Sequence, residues 1–112
     1  RYIAIYVMAE NAADTPDPRV ADIVSEVLSR DFAMQISNEM ILPTIIDVDV
    51  PQNRAWVETF KAEPGDVVVA IISNNIMESH KTLKGPQTPE QESEFSESLT
   101  DAVRENINSI DL

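Results

Sequence analysis

Apolar residues along this chain fall into a few short runs with different periods. Tyr2 to Met8 (YIAIYVM) is almost wholly apolar or aromatic, which predicts a strand covered on both faces. Val20, Ile23, Val24, Val27 and Leu28 recur at helical spacing after Asp17-Pro18, a favourable helix start, and predict an amphipathic helix. Phe32, Ile36 and Met40 repeat every fourth residue and suit a short second helix ended by Pro43. From Thr44 to Val50 apolar and acidic residues alternate, with Asp47 and Asp49 opposite Ile46, Val48 and Val50, as expected of a strand with one wet face. After the turn residues Pro51-Gln52-Asn53, the stretch Arg54–Lys61 also alternates, with Ala55, Val57 and Thr59 opposite Trp56, Glu58 and Phe60. This predicts a further strand. Glu63-Pro64-Gly65-Asp66 matches a type II turn leading into the continuous apolar strand Val67–Ile72.

Beyond Ser73 the sequence turns polar and loses its period until Thr88-Pro89-Glu90-Gln91, a capping-box helix start. Phe95, Leu99, Ala102, Val103 and Ile110 then form a thin apolar stripe in acidic surroundings, which suits a helix that packs weakly or serves a partner. The expected architecture is α+β: a small antiparallel sheet of about four strands with two or three helices on one face. Residues 1–84 read as a single compact domain and 85–112 as an acidic C-terminal helix or partly flexible tail. Trp56 and Phe60, on the second face of the sheet, are the expected interface residues of a homo-oligomer, a dimer by preference.

Charge narrows the function. The formal net charge is -12 over 112 residues. Residues 1–84 carry 13 acids and 7 bases, and residues 85–112 carry 7 acids and 1 base. Such a field repels phosphate backbones, so direct nucleic-acid binding is not expected. The acidity suits solubility, adaptation to high salt, or mimicry of nucleic-acid charge. No apolar run approaches the length of a membrane span. No secretory signal is visible, no membrane association is expected, and the expected location is cytoplasmic. The chain has no cysteine, so disulfides and thiolate metal sites are not available to it.

Catalytic residues do not stand out. His80 is the only histidine, in the polar run Met77-Glu78-Ser79-His80-Lys81, and reads as a solvated residue without a companion. Asp47, Asp49 and Glu58 supply oxygen ligands of the kind that hold Mg²⁺ or Ca²⁺, but no cation-binding loop accompanies them. They and Asp14 and Asp17 read as solvent-facing, and no metal site is expected. With two glycines, Gly65 and Gly85, no phosphate-cradling loop can form, and nothing points to a cofactor. Asn53 and Arg54, at an expected hairpin corner, are the candidate ligand contacts, since Arg is a natural anion partner in so negative a chain.

The segment Val48-Asp49-Val50-Pro51-Gln52-Asn53-Arg54, followed by Gly65-Asp66 and an apolar strand, resembles the small viral ring nucleases. These are type III anti-CRISPR proteins of archaeal viruses and phages, homodimers that bind and cleave cyclic tetra-adenylate. The resemblance covers about residues 46–83. It implies a dimer around a cyclic nucleotide, with Asn53 and Arg54 as contacts. The family's Gly-His pair, whose histidine is the catalytic acid, has no counterpart between Phe32 and Asn38, so catalysis is not carried over. The combined reading favours binding over catalysis. It describes a small acidic accessory protein, of viral or mobile-element type, that antagonises host defence by occupying a protein or a small signalling nucleotide. The alternatives are a cyclic oligoadenylate ring nuclease, an acidic nucleic-acid mimic, or a structural or assembly protein.

Overall fold

A computed structural model describes residues 1–9 and 18–110. Four strands and four helices follow in the order β1 (Tyr2–Ala9), α1 (Pro18–Asp31), α2 (Ala33–Ser37), β2 (Ile41–Asp47), α3 (Arg54–Phe60), β3 (Val67–Ser73), β4 (Ile76–Leu83) and α4 (Pro89–Ile110). A 3-10 turn, Pro51–Asn53, precedes α3. The fold is α+β around one small sheet of order β2-β1-β3-β4.

Strand direction is mixed. β1 pairs with β2 in parallel, from Ile3↔Ile41 to Ala9↔Asp47. Parallel neighbours need a crossover rather than a hairpin, and α1 with α2 supplies it. β3 runs antiparallel to both β1 and β4. The expected purely antiparallel sheet depended on a strand at Arg54–Lys61, and that segment is helical. Trp56 and Phe60 at i, i+4, and Val57 and Phe60 at i, i+3, form one helical stripe, of which Phe60 and Val57 pack on Met8 and Val68. β4 replaces the missing strand. It pairs with β3 through a two-residue turn in which Asn74 (φ 52) and Asn75 (φ 65) both take positive φ, the type I′ hairpin arrangement.

Helices cover both faces, not one. Ile3, Ile5, Val7, Ile41, Val67 and Val69 point from the sheet into the main core. There they meet Val24, Val27 and Leu28 of α1, and Phe95, Leu99 and Val103 of α4. Each such side chain contributes roughly 1.5–3 kcal/mol of transfer free energy. α4 is thus built into the core, with Leu99 and Val103 fully buried, rather than forming a weakly attached tail. On the opposite face α3 covers only part of the sheet. Ala4, Ala70 and Ile72 are buried there and, among the described residues, pack with the half-buried Tyr2, Tyr6 and Met77.

The expected type II turn is present. Asp66 N–H donates to the Glu63 carbonyl at 3.0 Å, and Gly65 takes φ +93. Asp14 and Asp17 lie outside the described residues. Among the described residues no helix is long and apolar enough to cross a membrane.

Candidate functional site

Period-2 geometry places Tyr2, Ala4, Tyr6 and Met8 on the same face of β1, and α3 lands against the Tyr6–Met8 half of that face. An aromatic cluster results. Tyr6 stacks on Phe60 with ring centroids 5.6 Å apart, and Phe60 on Trp56 at the same distance. Tyr6 and Trp56 lie 6.2 Å apart. His80, brought over the same face by the Ala70↔His80 pairing, meets Phe60 edge-on at 5.3 Å. Separations of 4.5–7 Å are those at which offset and edge-to-face pairs attract.

Within this cluster the roles differ. Phe60 is 3% exposed and forms its base. Trp56 is 44% exposed and forms its outer surface. The two residues expected as an interface pair therefore divide, one interior and one presented to solvent. Tyr6 is half-buried, and burial, with a smaller contribution from Tyr2, pushes its phenol above the ordinary 10.0. The hydroxyl of Thr82 donates to the Phe60 carbonyl at 2.8 Å, latching the end of α3 to β4. Lys61 closes the helix in the left-handed conformation.

Asn53 and Arg54 stand where the 3-10 turn passes into α3, not at a hairpin corner. The Asn53 amide donates to the Asp47 carbonyl at 2.9 Å, tying the start of α3 to the end of β2. Arg54 is exposed, and it forms no side-chain hydrogen bond or ion pair among the described residues. The segment behind the ring-nuclease resemblance is thus the end of a strand, a helix and two further strands in this molecule. Asp47 accepts the Asp49 N–H at 2.9 Å, a local turn contact. No group of three or more His, Asp or Glu residues is placed to hold a metal ion among the described residues.

A second polar knot joins the β3 entry to the end of β4. The buried Asp66 carboxylate accepts from Glu63 N–H (2.9 Å), Gly85 N–H (2.9 Å) and Lys84 Nζ (3.0 Å). The hydrogen bond to Asp66 and its charge hold the Lys84 ammonium above its ordinary pKa. Every bond that Asp66 accepts here is internal, so the knot supports the fold.

Charge is divided between the two faces. α1 and α4 together carry nine acids (Asp22, Glu26, Asp31, Glu90, Glu92, Glu94, Glu97, Asp101, Glu105) and three bases (Arg19, Arg30, Arg104). Glu90, Glu94, Glu97, Asp101 and Glu105 are all exposed and recur at helical spacing, forming one acidic stripe. α3 carries one acid, Glu58, and one base, Arg54. Among the described residues, the helix that carries Trp56 is therefore balanced in charge, whereas α1 and α4 are strongly negative. The reading from sequence missed Tyr6 and the placement of His80. The alternation of Tyr2 and Tyr6 along β1 was the available signal, masked by Ile3 and Ile5 between them.

No protein-family model matches the chain, and no curated protein does. Among solved structures, a solution structure of a thioredoxin from Thermus thermophilus is similar, with a TM-score of 0.52 and 11% sequence identity. The match covers 88% of this chain and 73% of that one. At that identity the likeness concerns the fold. With no cysteine, the present chain has no thiol of its own for dithiol exchange.

Proposed function

We propose that this protein is a binding module on a thioredoxin-like fold, acting by holding a partner against the aromatic face of α3 and β1. The observation that carries this reading is Trp56, 44% exposed yet braced by Tyr6 and Phe60 on a helix balanced in charge. Well-packed tryptophans are enriched among the few residues that dominate binding energy at protein interfaces. A protein partner is the first choice. Cyclic tetra-adenylate is the small-molecule candidate, because the ring-nuclease resemblance implies it and because aromatic rings stack on bases. Antagonism of host defence is the finer form of the same proposal.

Trp56 is the only tryptophan, so its fluorescence reports directly on the face. Titration with a panel of host proteins and with cyclic tetra-adenylate is expected to shift its emission for the true partner. Trp56→Ala is expected to weaken that binding by roughly thirtyfold or more, the scale of a hot-spot residue. A partner bound equally well by Trp56→Ala removes the aromatic face from the proposal. Chromatography of cyclic tetra-adenylate after long incubation separates binding from turnover, with intact ligand expected.

A second reading, an acidic nucleic-acid mimic, is favoured by the stripe on α4. Its five carboxylates span about 22 Å at the helical rise, or one charge per roughly 5 Å. One strand of DNA carries a charge every 3.4 Å or so, so the stripe is the sparser of the two. Replacing Glu94, Glu97 and Asp101 by their amides tests this reading, which requires loss of a salt-sensitive partner.

A further inference from the structure

We propose, on the reading that the aromatic face is the binding surface, that its partner is a basic protein segment, one of whose arginines stacks its guanidinium on Trp56.

Trp56 stands in the first turn of α3. Phe60 stacks against one side of the indole, with centroids 5.6 Å apart and planes inclined by 30°. Tyr6 leans on the same ring at 6.2 Å and 39°. Phe60 is 3% exposed, so the support beneath Trp56 is itself buried. The exposed part of the indole therefore offers the side turned away from Phe60. The face of an aromatic ring is the negative pole of its quadrupole. Indole is the best acceptor among the aromatic side chains for a cation within about 6 Å of its centroid.

An uncharged apolar partner would also cover an exposed indole, and charge separates the two. The chain has a net charge of -12, so cations are drawn toward the molecule and polyanions are repelled. The attraction persists close to the site. From Asp47 to Glu63, the segment that carries Trp56 holds four acids, Asp47, Asp49, Glu58 and Glu63, against two bases, Arg54 and Lys61. Glu58 and Glu63 are exposed. The one histidine, His80, meets the cluster at Phe60. A cyclic oligonucleotide, with one phosphate per nucleotide, meets the same field as repulsion, so charge favours a protein partner over it.

Among cationic side chains arginine suits the indole best. Its planar guanidinium is weakly hydrated and lies flat on a ring, whereas the lysine ammonium is a compact, strongly hydrated charge. A stacked guanidinium also keeps its N–H edge free to donate to acceptors around the ring.

The test uses capped peptides in which arginine, lysine, glutamate or leucine alternates with glycine. Each is titrated at low salt while the emission of Trp56, the only tryptophan, is followed. The arginine peptide is expected to shift the emission and to bind about threefold or more tighter than the lysine peptide. The glutamate peptide is expected to leave the emission unmoved, and the arginine affinity should fall as salt rises. α1 and α4 pack on the other face of the sheet, so arginine gathered on their carboxylates does not move the Trp56 emission. Calorimetry follows the variants. Trp56→Leu keeps an apolar side chain without a π face and should lose about threefold or more of the arginine affinity, whereas Trp56→Phe should keep the preference for arginine over lysine. An arginine peptide bound no tighter than the lysine, glutamate or leucine peptide overturns the proposal. So does an arginine affinity indifferent to Trp56→Leu. The peptides are compared on the native protein, so a variant that fails to fold leaves the question decidable. A leucine peptide that alone moves the emission overturns the charge assignment and keeps the aromatic face as a binding surface. Silence from all the peptides overturns both.

Discussion

Gly85 lies against Gly65 so closely that a β-carbon on Gly85 would overlap the Gly65 carbonyl oxygen. The contact is backbone on backbone, and no side-chain rotation relieves it. Gly65 is bound in turn to the end of β1, its N–H donating to the Met8 carbonyl at 2.8 Å. Gly85→Ala is therefore expected to cost about 3 kcal/mol, the upper part of the range for forced overpacking. Gly65→Ala meets open space but must hold φ +93, and it should cost about 1–2 kcal/mol by backbone strain alone. Urea denaturation of both variants checks the order, and a milder effect at Gly85 than at Gly65 would contradict the contact.

Asp66 uses both carboxylate oxygens, Oδ1 toward Gly85 N–H and Oδ2 toward Glu63 N–H and Lys84 Nζ. An amide has a single acceptor oxygen, so Asp66→Asn leaves a donor facing a donor in a buried place. The expected loss is about 2–3 kcal/mol. Lys84→Gln should leave the denaturation midpoint nearly unchanged, because the ammonium is mostly exposed and water replaces its partner. Equal losses for the two substitutions would place the energy in the ion pair instead of the backbone contacts.

Alkaline pH should expose a further dependence. The Tyr6 phenol is raised above its ordinary 10.0 by burial. The unfolded chain therefore releases this proton first. The associated stability is intact below the unfolded value and is lost as pH rises through the folded one. Thermal unfolding followed from pH 9 upward should show a midpoint that begins to fall near pH 10, with a shallower fall in Tyr6→Phe. A midpoint that rises in this interval would reverse the sign.

Phe60 and Trp56 touch the same rings but differ in burial. Phe60→Ala should cost about 3–4 kcal/mol, whereas Trp56→Ala should cost clearly less because nearly half of its surface already meets water. Asn53→Ala removes one half-buried hydrogen bond and should cost about 1 kcal/mol. Arg54→Ala should stay within about 0.5 kcal/mol of the native protein. Chemical denaturation of the four variants tests the ranking.

These energetic contrasts bear on what the sequence could reveal. β1, α1 and β3 were legible because each combines length with an unambiguous period. Arg54–Phe60 was not. Over seven residues Trp56 and Phe60, four apart, share a face in a strand and in a helix alike, and only Val57 tells the two apart. The choice is made by Pro51 opening a helical turn and by Met8 and Val68 waiting beneath. β4 was hidden because its polar residues lie on a sheet edge, and its register irregularity breaks the alternation that marks a strand. The Asn74-Asn75 turn was the one local clue, since asparagine tolerates positive φ. Of the aromatic cluster, Trp56 and Phe60 stand out in the sequence as expected interface residues. Tyr6 and His80 join it only through pairings between residues distant in sequence, which no local pattern encodes.

The unequal charge of the two layers gives the molecule a direction in space. Met by a positively charged support, such as an anion-exchange resin or an amine-coated sensor, the protein is expected to settle on the carboxylates of α1 and α4, where nine of its acids stand with three bases. Trp56 then points into the mobile phase. Simple adsorption at low salt thus orients the whole population without a tag, and raising the salt to shorten the screening length releases it.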